Sequence, residues 1–427
     1  MLMQTETAGK TSTLGTIAEY SSHAQNGIEN PAYARRFRLL RAARSLLPSE
    51  RIADCQHAIA PNSKVQVVVS PDRAGASFQN LVCCESMSCP FCAVAASERN
   101  RHELSVALAQ AKDMDLYPFM VTMTLSHRAG DALVGLLDAL KTAYDRVFSG
   151  RWYQELKDEW GIVCKIRTTE VTVGKNGWHP HLHILFFAGR KYDDGYLEAL
   201  RQNIGKRWRG WLKRAGASAN MAHGVDVTNA ESSIADYISK WGHEPINGAW
   251  GVDHEIAKAN TKKAQNGGLT PFALLDAASG NSEALDAAFR LIGGNRATLQ
   301  ARCGFLYTEY FYAFKGRSRI HWGNARKVLD LEAALWVYEQ QNPVEQHETY
   351  VMAQCFDNLA WHWLRGKFDG KDRRAEFLTV CATRDAYAVK QWIIDNRARG
   401  IKIPASAFYF SNLVRDKSLS QIPKCSN

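Results

Sequence analysis

No apolar run in these 427 residues approaches the roughly 20 residues that a membrane span needs, so the sequence predicts no membrane contact. The first thirty residues lack a basic stretch followed by an apolar core, which predicts no secretory signal and a cytoplasmic protein. A secreted disulfide framework is absent too: four of the ten cysteines crowd between Cys83 and Cys92. In a reducing compartment such clusters more often hold zinc. The zinc-protease pattern is also missing. His-Glu pairs occur at His102, His243, His254 and His347, but none has a second histidine at the required helical spacing.

What is present is ordinary in bulk. A hydrophobic content of 46% supports sizeable cores and excludes global disorder. The length predicts about two or three domains. A net charge of +10 suits an anionic partner such as nucleic acid, without deciding function.

The informative stretch is Trp178-His179-Pro180-His181-Leu182-His183, running on into Ile184-Leu185-Phe186-Phe187. Short, aromatic-rich apolar runs prefer extended backbone, and side chains alternate faces along a strand. His179, His181 and His183 therefore share one face. Three imidazole nitrogens on one face need partners, and a divalent metal satisfies them. Before them, residues 165–173 alternate with β-branched side chains and read as a second strand. Gly174-Lys175-Asn176-Gly177 lies between, and Asn-Gly is a strong hairpin signal. With Asn176-Gly177 at the turn centre, Glu170 pairs opposite His183. Two histidines and a carboxylate then surround one point with coordination positions left open, as a catalytic site requires.

Downstream, residues 231–241 read as a helix, with Ile234, Ile238 and Trp241 on one face and Tyr237 beside Lys240 on another. A tyrosine hydroxyl, with a free pKa of about 10, is a poor nucleophile unless a cation or base assists it. Upstream, Cys84, Cys89 and Cys92 offer three thiolates, and Cys55, with His57 nearby, could supply a fourth zinc ligand from an earlier loop. Cys83 adjoins Cys84, so either can serve.

These motifs in this order resemble the HUH endonucleases, and most closely the replication initiators of rolling-circle plasmids. His-Pro-His-Leu-His and Tyr-x-x-Lys carry the resemblance. Phe119-Met120-Val121-Thr122-Met123-Thr124-Leu125 sits where the first motif of that family belongs, and the spacing of the cysteines favours Cys84. Residues 270–275 and 314–322 resemble later segments, so the likeness spans about residues 55–322. The resemblance implies nicking of one strand of single-stranded or hairpin origin DNA. Tyr237 would join the 5′ phosphate, and the freed 3′ hydroxyl would prime synthesis by a host polymerase with a host helicase. It implies Mg²⁺ or Mn²⁺ on His181 and His183. Glu170 as third ligand rests on the register argument and a positional match. His179 would stand behind the ligands, and Lys240 would neutralise phosphate or orient the tyrosine. Some relatives end the cycle with a second tyrosine or with a carboxylate four residues before the first. Here that position is Ser233, with Glu231 and Asp236 the nearest acids. Competing readings are a transposase or relaxase of another mobile element, and a non-catalytic zinc-stabilised DNA-binding regulator.

The expected fold is α+β: a largely antiparallel HUH-type sheet backed by helices, an N-terminal cysteine module and a helical C-terminal region. The expected organisation is a flexible tail (1–30), a basic and cysteine-rich module (31–115), a catalytic domain (116–245), a linker (246–270) and a helical region (271–427). Strands are expected at 65–70, 119–125 and 223–227. Helices are expected at 96–111, 131–148, 196–214, 271–291, 329–338, 350–364, 373–381 and 385–397. Between 31 and 48, Arg35, Arg36, Arg38, Arg41 and Arg44 read as a solvated helix face or a DNA contact. In 206–214, Trp208, Trp211 and Leu212 read as core, while basic residues including Lys206, Arg207 and Arg209 reach DNA. Lys315, Arg317 and Arg319 alternate along an expected strand and share a face for DNA contact or a solvated edge. The sequence carries no signal for oligomeric state.

Overall fold

The computed structural model describes residues 30–70, 73–229, 268–341, 350–355, 358–397, 408–409 and 414–415. Tyr237, Lys240, Glu231, Ser233 and Asp236 lie outside the described residues, as do the expected tail at 1–29 and residues 246–267.

Helix α1 (Pro31–Leu46) is capped by the Asn30 side chain and precedes strands β1 (Gln66–Ser70) and β2 (Arg73–Gln79). Then come α2 (Cys92–Asp113), β3 (Tyr117–Thr124), α3 (Leu133–Val147), α4 (Gly150–Trp160), the hairpin strands β4 (Ile162–Gly174) and β5 (Gly177–Ala188), α5 (Asp194–Arg214) and β6 (Val225–Asn229). After residue 267 follow α6 (Pro271–Ala278), α7 (Ser282–Ile292), α8 (Arg296–Phe314), β7 (Ile320–His321), α9 (Ala325–Val328) and α10 (Leu331–Gln341). The remainder is β8 (Tyr350–Cys355), α11 (Asn358–Leu364), α12 (Arg374–Ala382), α13 (Ala386–Arg397), β9 (Phe408–Tyr409) and β10 (Val414–Arg415). No described helix is long and apolar enough to cross a membrane.

The α+β expectation holds. One antiparallel sheet runs β6-β3-β5-β4-β7, with the hairpin at its centre. Alternation along its strands splits the apolar side chains between two cores. Val121, Ile184 and Phe186 join Leu137 and Leu140 of α3 and Leu200 and Trp208 of α5. Met120, Cys164, Ile166, Leu185 and Phe187, one residue out of phase, join Leu104, Ala107 and Ala111 of α2 and Leu329 and Leu331 beyond β7. The three histidines share the parity of Leu185 and Phe187. They therefore extend the second face toward the turn. In α3, Leu133, Leu136, Leu137, Leu140, Ala143 and Val147 recur every three or four residues and are buried, as an amphipathic helix requires.

Several expectations need correction. The hairpin pairs Gly174 with Gly177, so its centre is Lys175-Asn176 and Glu170 lies opposite His181, not His183. The left-handed step falls on Gly177 (φ 85°), where a Cβ would also stand 2.7 Å from the Arg128 carbonyl oxygen. The slip is two residues, so Glu170 keeps its face. A second sheet, β10-β8-β1-β2 with β9 also on β8, joins residues 66–79 to 350–355, where a helix was expected. Helix 271–291 is two helices, broken at Gly280 (φ 87°) and restarted by the Asn281 cap. Helix α4 was not anticipated.

The 315–319 segment is not a strand with one basic face. Lys315 ends α8, and β7 begins only at Ile320. The α1 arginines follow neither expected course uniformly: Arg35 and Arg38 both bind Asp276 of α6, at 2.9 and 2.8 Å. These pairs tie α1 to α6.

Candidate active site

Three anchors position the hairpin. Trp178 is buried, and its Nε1–H donates to Glu309 of α8 at 2.8 Å. The other Glu309 oxygen accepts from the Leu133 N–H at 2.8 Å, opening α3. Trp208 of α5 donates to the Thr124 carbonyl oxygen at 2.7 Å, holding the end of β3 beside the histidines.

On the exposed half of the second face, His181 Nε2 and His183 Nε2 each lie 3.0 Å from one oxygen, Oε2 of Glu170. All three donor atoms fall within 4.8 Å of one another. An octahedral metal about 2.1 Å from its ligands sets neighbours about 3.0 Å apart, so this spacing fits a hard divalent cation. Crowding raises the Glu170 pKa, but hydrogen bonds from His181 and His183 outweigh it and hold the carboxyl well below its ordinary range. His181 Nδ1 is buried and meets no hydrogen-bond partner among the described residues. His183 Nδ1 lies 3.1 Å from Thr122 Oγ1, a contact that fixes the ring and leaves Nε2 facing the cluster. His179 Nε2 lies 3.1 Å from Thr124 Oγ1, so His179 stands beside the cluster and not within it. Burial, aided by His181 and His127, lowers the His179 pKa to about 4 and leaves that ring neutral at pH 7.

Sequence reasoning passed over Thr122, Thr124 and His127. The threonines alternate along β3, a period-two signal that could have placed them on the histidine face. The His127 ring lies 4.9 Å from His179, and its Nδ1–H donates to the Asn176 carbonyl oxygen at 2.9 Å. No local pattern marked it.

The sulfurs of Cys55, Cys84, Cys89 and Cys92 form a second cluster, all four residues buried and within 4.8 Å of one another. Cys83 is not part of it. Sulfur separations of 3.5, 3.5 and 3.8 Å are close to the roughly 3.8 Å edge of a tetrahedron with 2.3 Å metal–sulfur bonds. They are far too long for disulfides. Burial and neighbouring sulfurs push the Cys89 thiol well above its ordinary range, and hydrogen bonds from the other thiols pull Cys92 below it. A cation that lets all four ionise removes this competition. Both clusters can bind metal.

The expected DNA-contact residues are scattered. Lys206 is exposed, Arg209 is half-buried, and the Arg207 guanidinium lies 4.3 Å over the Trp152 ring. Trp208 and Leu212 are fully buried. Lys315 pairs with Glu50 at 2.8 Å and Arg317 with Asp138 at 2.9 Å. Arg319 lies 5.0 Å over Tyr310.

Comparison with known proteins agrees with the motifs. Residues 76–264 match the model of a replication protein family. The "Protein rep" of Streptomyces lividans is 29% identical over 326 residues, covering 62% of this chain and 68% of that protein. The "Protein rep" of Lentilactobacillus hilgardii is 26% identical, covering 39% of this chain and 48% of its own length. A "Neomycin resistance protein" of Streptomyces cyanogenus is 29% identical over 26% of this chain and 31% of its own. No solved structure matches.

Proposed function

We propose that this chain, similar to the replication proteins named above, is itself a replication protein of a rolling-circle plasmid and starts replication by nicking and later rejoining one strand of origin DNA. The observation that carries this reading is the convergence of Glu170 Oε2 with His181 Nε2 and His183 Nε2 on a half-open face. These three residues hold Mg²⁺ or Mn²⁺, which when bound supplies positive charge against the phosphoryl oxygens.

Tyr237 is the nucleophile. Its Oη attacks the scissile phosphorus as the phenolic proton is lost. The bond to the 3′ oxygen breaks, and that oxygen takes up a proton and leaves as the hydroxyl that a host polymerase extends. The 5′ phosphate stays on the tyrosine. One phosphodiester replaces another, so rejoining needs no ATP. Lys240, three residues on, neutralises phosphate or steadies the phenolate. His179, held by Thr124, supports the cluster from beside it. The cysteine cluster holds structural zinc. Lys206, Arg207 and Arg209 follow the DNA backbone, a host helicase opens the duplex, and the protein works in the cytoplasm.

The test is direct. Single-stranded origin DNA is incubated with the protein and Mn²⁺, and a denaturation-resistant adduct is sought. The adduct is expected with the wild type and not with Tyr237→Phe. An adduct that survives Tyr237→Phe sinks the assignment, and DNA binding without any adduct favours the regulator. Adduct with transposon ends but not with plasmid origin DNA favours a transposase.

A further inference from the structure

A cavity of about 410 Å³ lies between the cysteine loop and the end of α8 and has no part in the chemistry above. Its size falls within the roughly 300–1,000 Å³ range of sites that enclose a small ligand. One wall is the segment from Cys84 to Ser88, braced by the cysteine cluster and by Tyr307, whose hydroxyl donates to the Ser88 carbonyl oxygen at 2.7 Å. Phe311 and Phe314 supply an apolar wall. Four basic side chains line the cavity, Arg51, Lys315, Arg317 and Arg319, against the acids Glu50 and Glu85. Lys315 already offsets Glu50 at 2.8 Å, and Arg317 pairs with Asp138 at 2.9 Å. Arg51 is exposed and in no ion pair among the described residues. Arg51 therefore offers a positive charge beside aromatic rings, the pairing of charge and stacking surface that suits single-stranded nucleic acid.

The same segment runs to the catalytic hairpin. The Arg319 carbonyl oxygen accepts from the Thr169 N–H at 2.9 Å, and β7 continues that pairing along Thr168 and Arg167. Thr169 is the residue before Glu170, and neighbouring Cα atoms are about 3.8 Å apart. The cavity segment is thus joined through the β7 edge to the strand that carries Glu170.

We propose that this cavity receives one nucleotide of the single strand whose scissile phosphate meets the hairpin, with its phosphate toward Arg51 and its base against Phe311 and Phe314. This rests on the nicking function proposed above. It gives the cysteine module a task beyond holding the fold, since the zinc-capable cluster stiffens one wall of a DNA contact.

The experiment titrates the full chain, without added Mg²⁺ or Mn²⁺, into a fluorescent single-stranded oligonucleotide over a salt series. Arg51→Glu should weaken binding about tenfold or more and lower the salt slope by about 0.7, the value for one phosphate contact on a single strand. Arg51→Lys should keep most of the affinity. Zinc content and unfolding midpoint, expected unchanged, verify folding of both variants. Photo-crosslinks from bromouracil-substituted oligonucleotide should map to residues 84–88 or 311–319. Unchanged affinity and slope in Arg51→Glu, with crosslinks elsewhere, overturn the proposal. The tyrosine adduct is scored separately. A protein that forms the adduct but ignores Arg51 keeps the nicking function and loses the cavity. One that binds through the cavity but forms no adduct does the reverse.

Discussion

The four clustered cysteines are all buried and come from two stretches of chain, Cys55 and 84–92, whereas Glu170, His181 and His183 come from one hairpin and Glu170 keeps 45% of its side chain exposed. Four sulfurs close a tetrahedron and leave nowhere for a substrate. Three donors on an open face leave positions free. The same chain therefore carries one closed cluster, suited to a structural metal, and one open cluster, suited to the nicking chemistry proposed above. Sequence separation tracks the difference: joining Cys55 to the start of α2 closes a loop, while the hairpin centre needs only register. Breaking the two should give different phenotypes.

The largest effect belongs to the closed centre. Cys89→Ser should lose bound zinc, read by elemental analysis, and the protein should unfold well below the wild-type midpoint, because structural zinc contributes on the order of 10 kcal/mol in small domains. A wild-type midpoint in Cys89→Ser would remove the structural role. Next comes the open centre. His183→Ala should cut Mn²⁺-dependent adduct formation by more than about 100-fold, since even partners of metal ligands are worth 10–100-fold. Its midpoint should move only a few degrees, as for a loss of about 1–2 kcal/mol in a chain of this size. Brief chelation should abolish adduct formation reversibly while the cysteine-bound zinc stays. Equal loss of stability in both variants would erase the distinction.

A finer cut separates ligand from support. Thr122→Val removes the partner of His183 Nδ1 and should weaken Mn²⁺ affinity by about 10–100-fold, measured calorimetrically, with the hairpin intact. Unchanged affinity would mean that the ring is held by packing alone.

The smallest effect lies on the opposite face. The Lys165 ammonium sits 4.2 Å from the centre of the Tyr153 ring and 4.5 Å from that of Phe148. Burial, with Arg167 and Lys157 nearby, pulls its pKa from 10.5 down to about 7. From pH 7 to about 10.5 the unfolded chain then binds a proton that the folded chain does not, so stability gains from this residue as pH rises through that window. Below pH 7 both states are protonated and the cost of the buried charge is full. Lys165→Met should therefore be more stable than wild type near pH 7, by about 1–2 kcal/mol once cation–π attraction is set against burial. The gap in midpoint should close toward pH 10, and a gap independent of pH would contradict the shift.

The histidine face was legible because it needs only period two. The register guess was wrong by two residues, yet parity survived and Glu170 stayed with His181 and His183. Cys55 was legible as a fourth member of the cysteine cluster by counting, although twenty-eight residues lie between it and Cys84. The partners of short strands were not legible. Residues 350–355 carry a pattern that also suits a helix, and only pairing with β1 makes them a strand. Likewise Lys315, Arg317 and Arg319 alternate in sequence, but the end of α8 turns them toward Glu50, Asp138 and Tyr310.

Local chemistry in this chain determined which residues could bind a cation, which strand they share and that α-helices would flank a sheet, because alternation, turn residues and thiol spacing act over a few residues. Tertiary structure alone decided that residues 350–355 complete a sheet begun at residue 66, that Arg35 and Arg38 serve Asp276, and that a basic cavity opens beside the cysteines. Those outcomes depend on which distant surfaces meet, and the free energy of such meetings is not written in any short window of sequence.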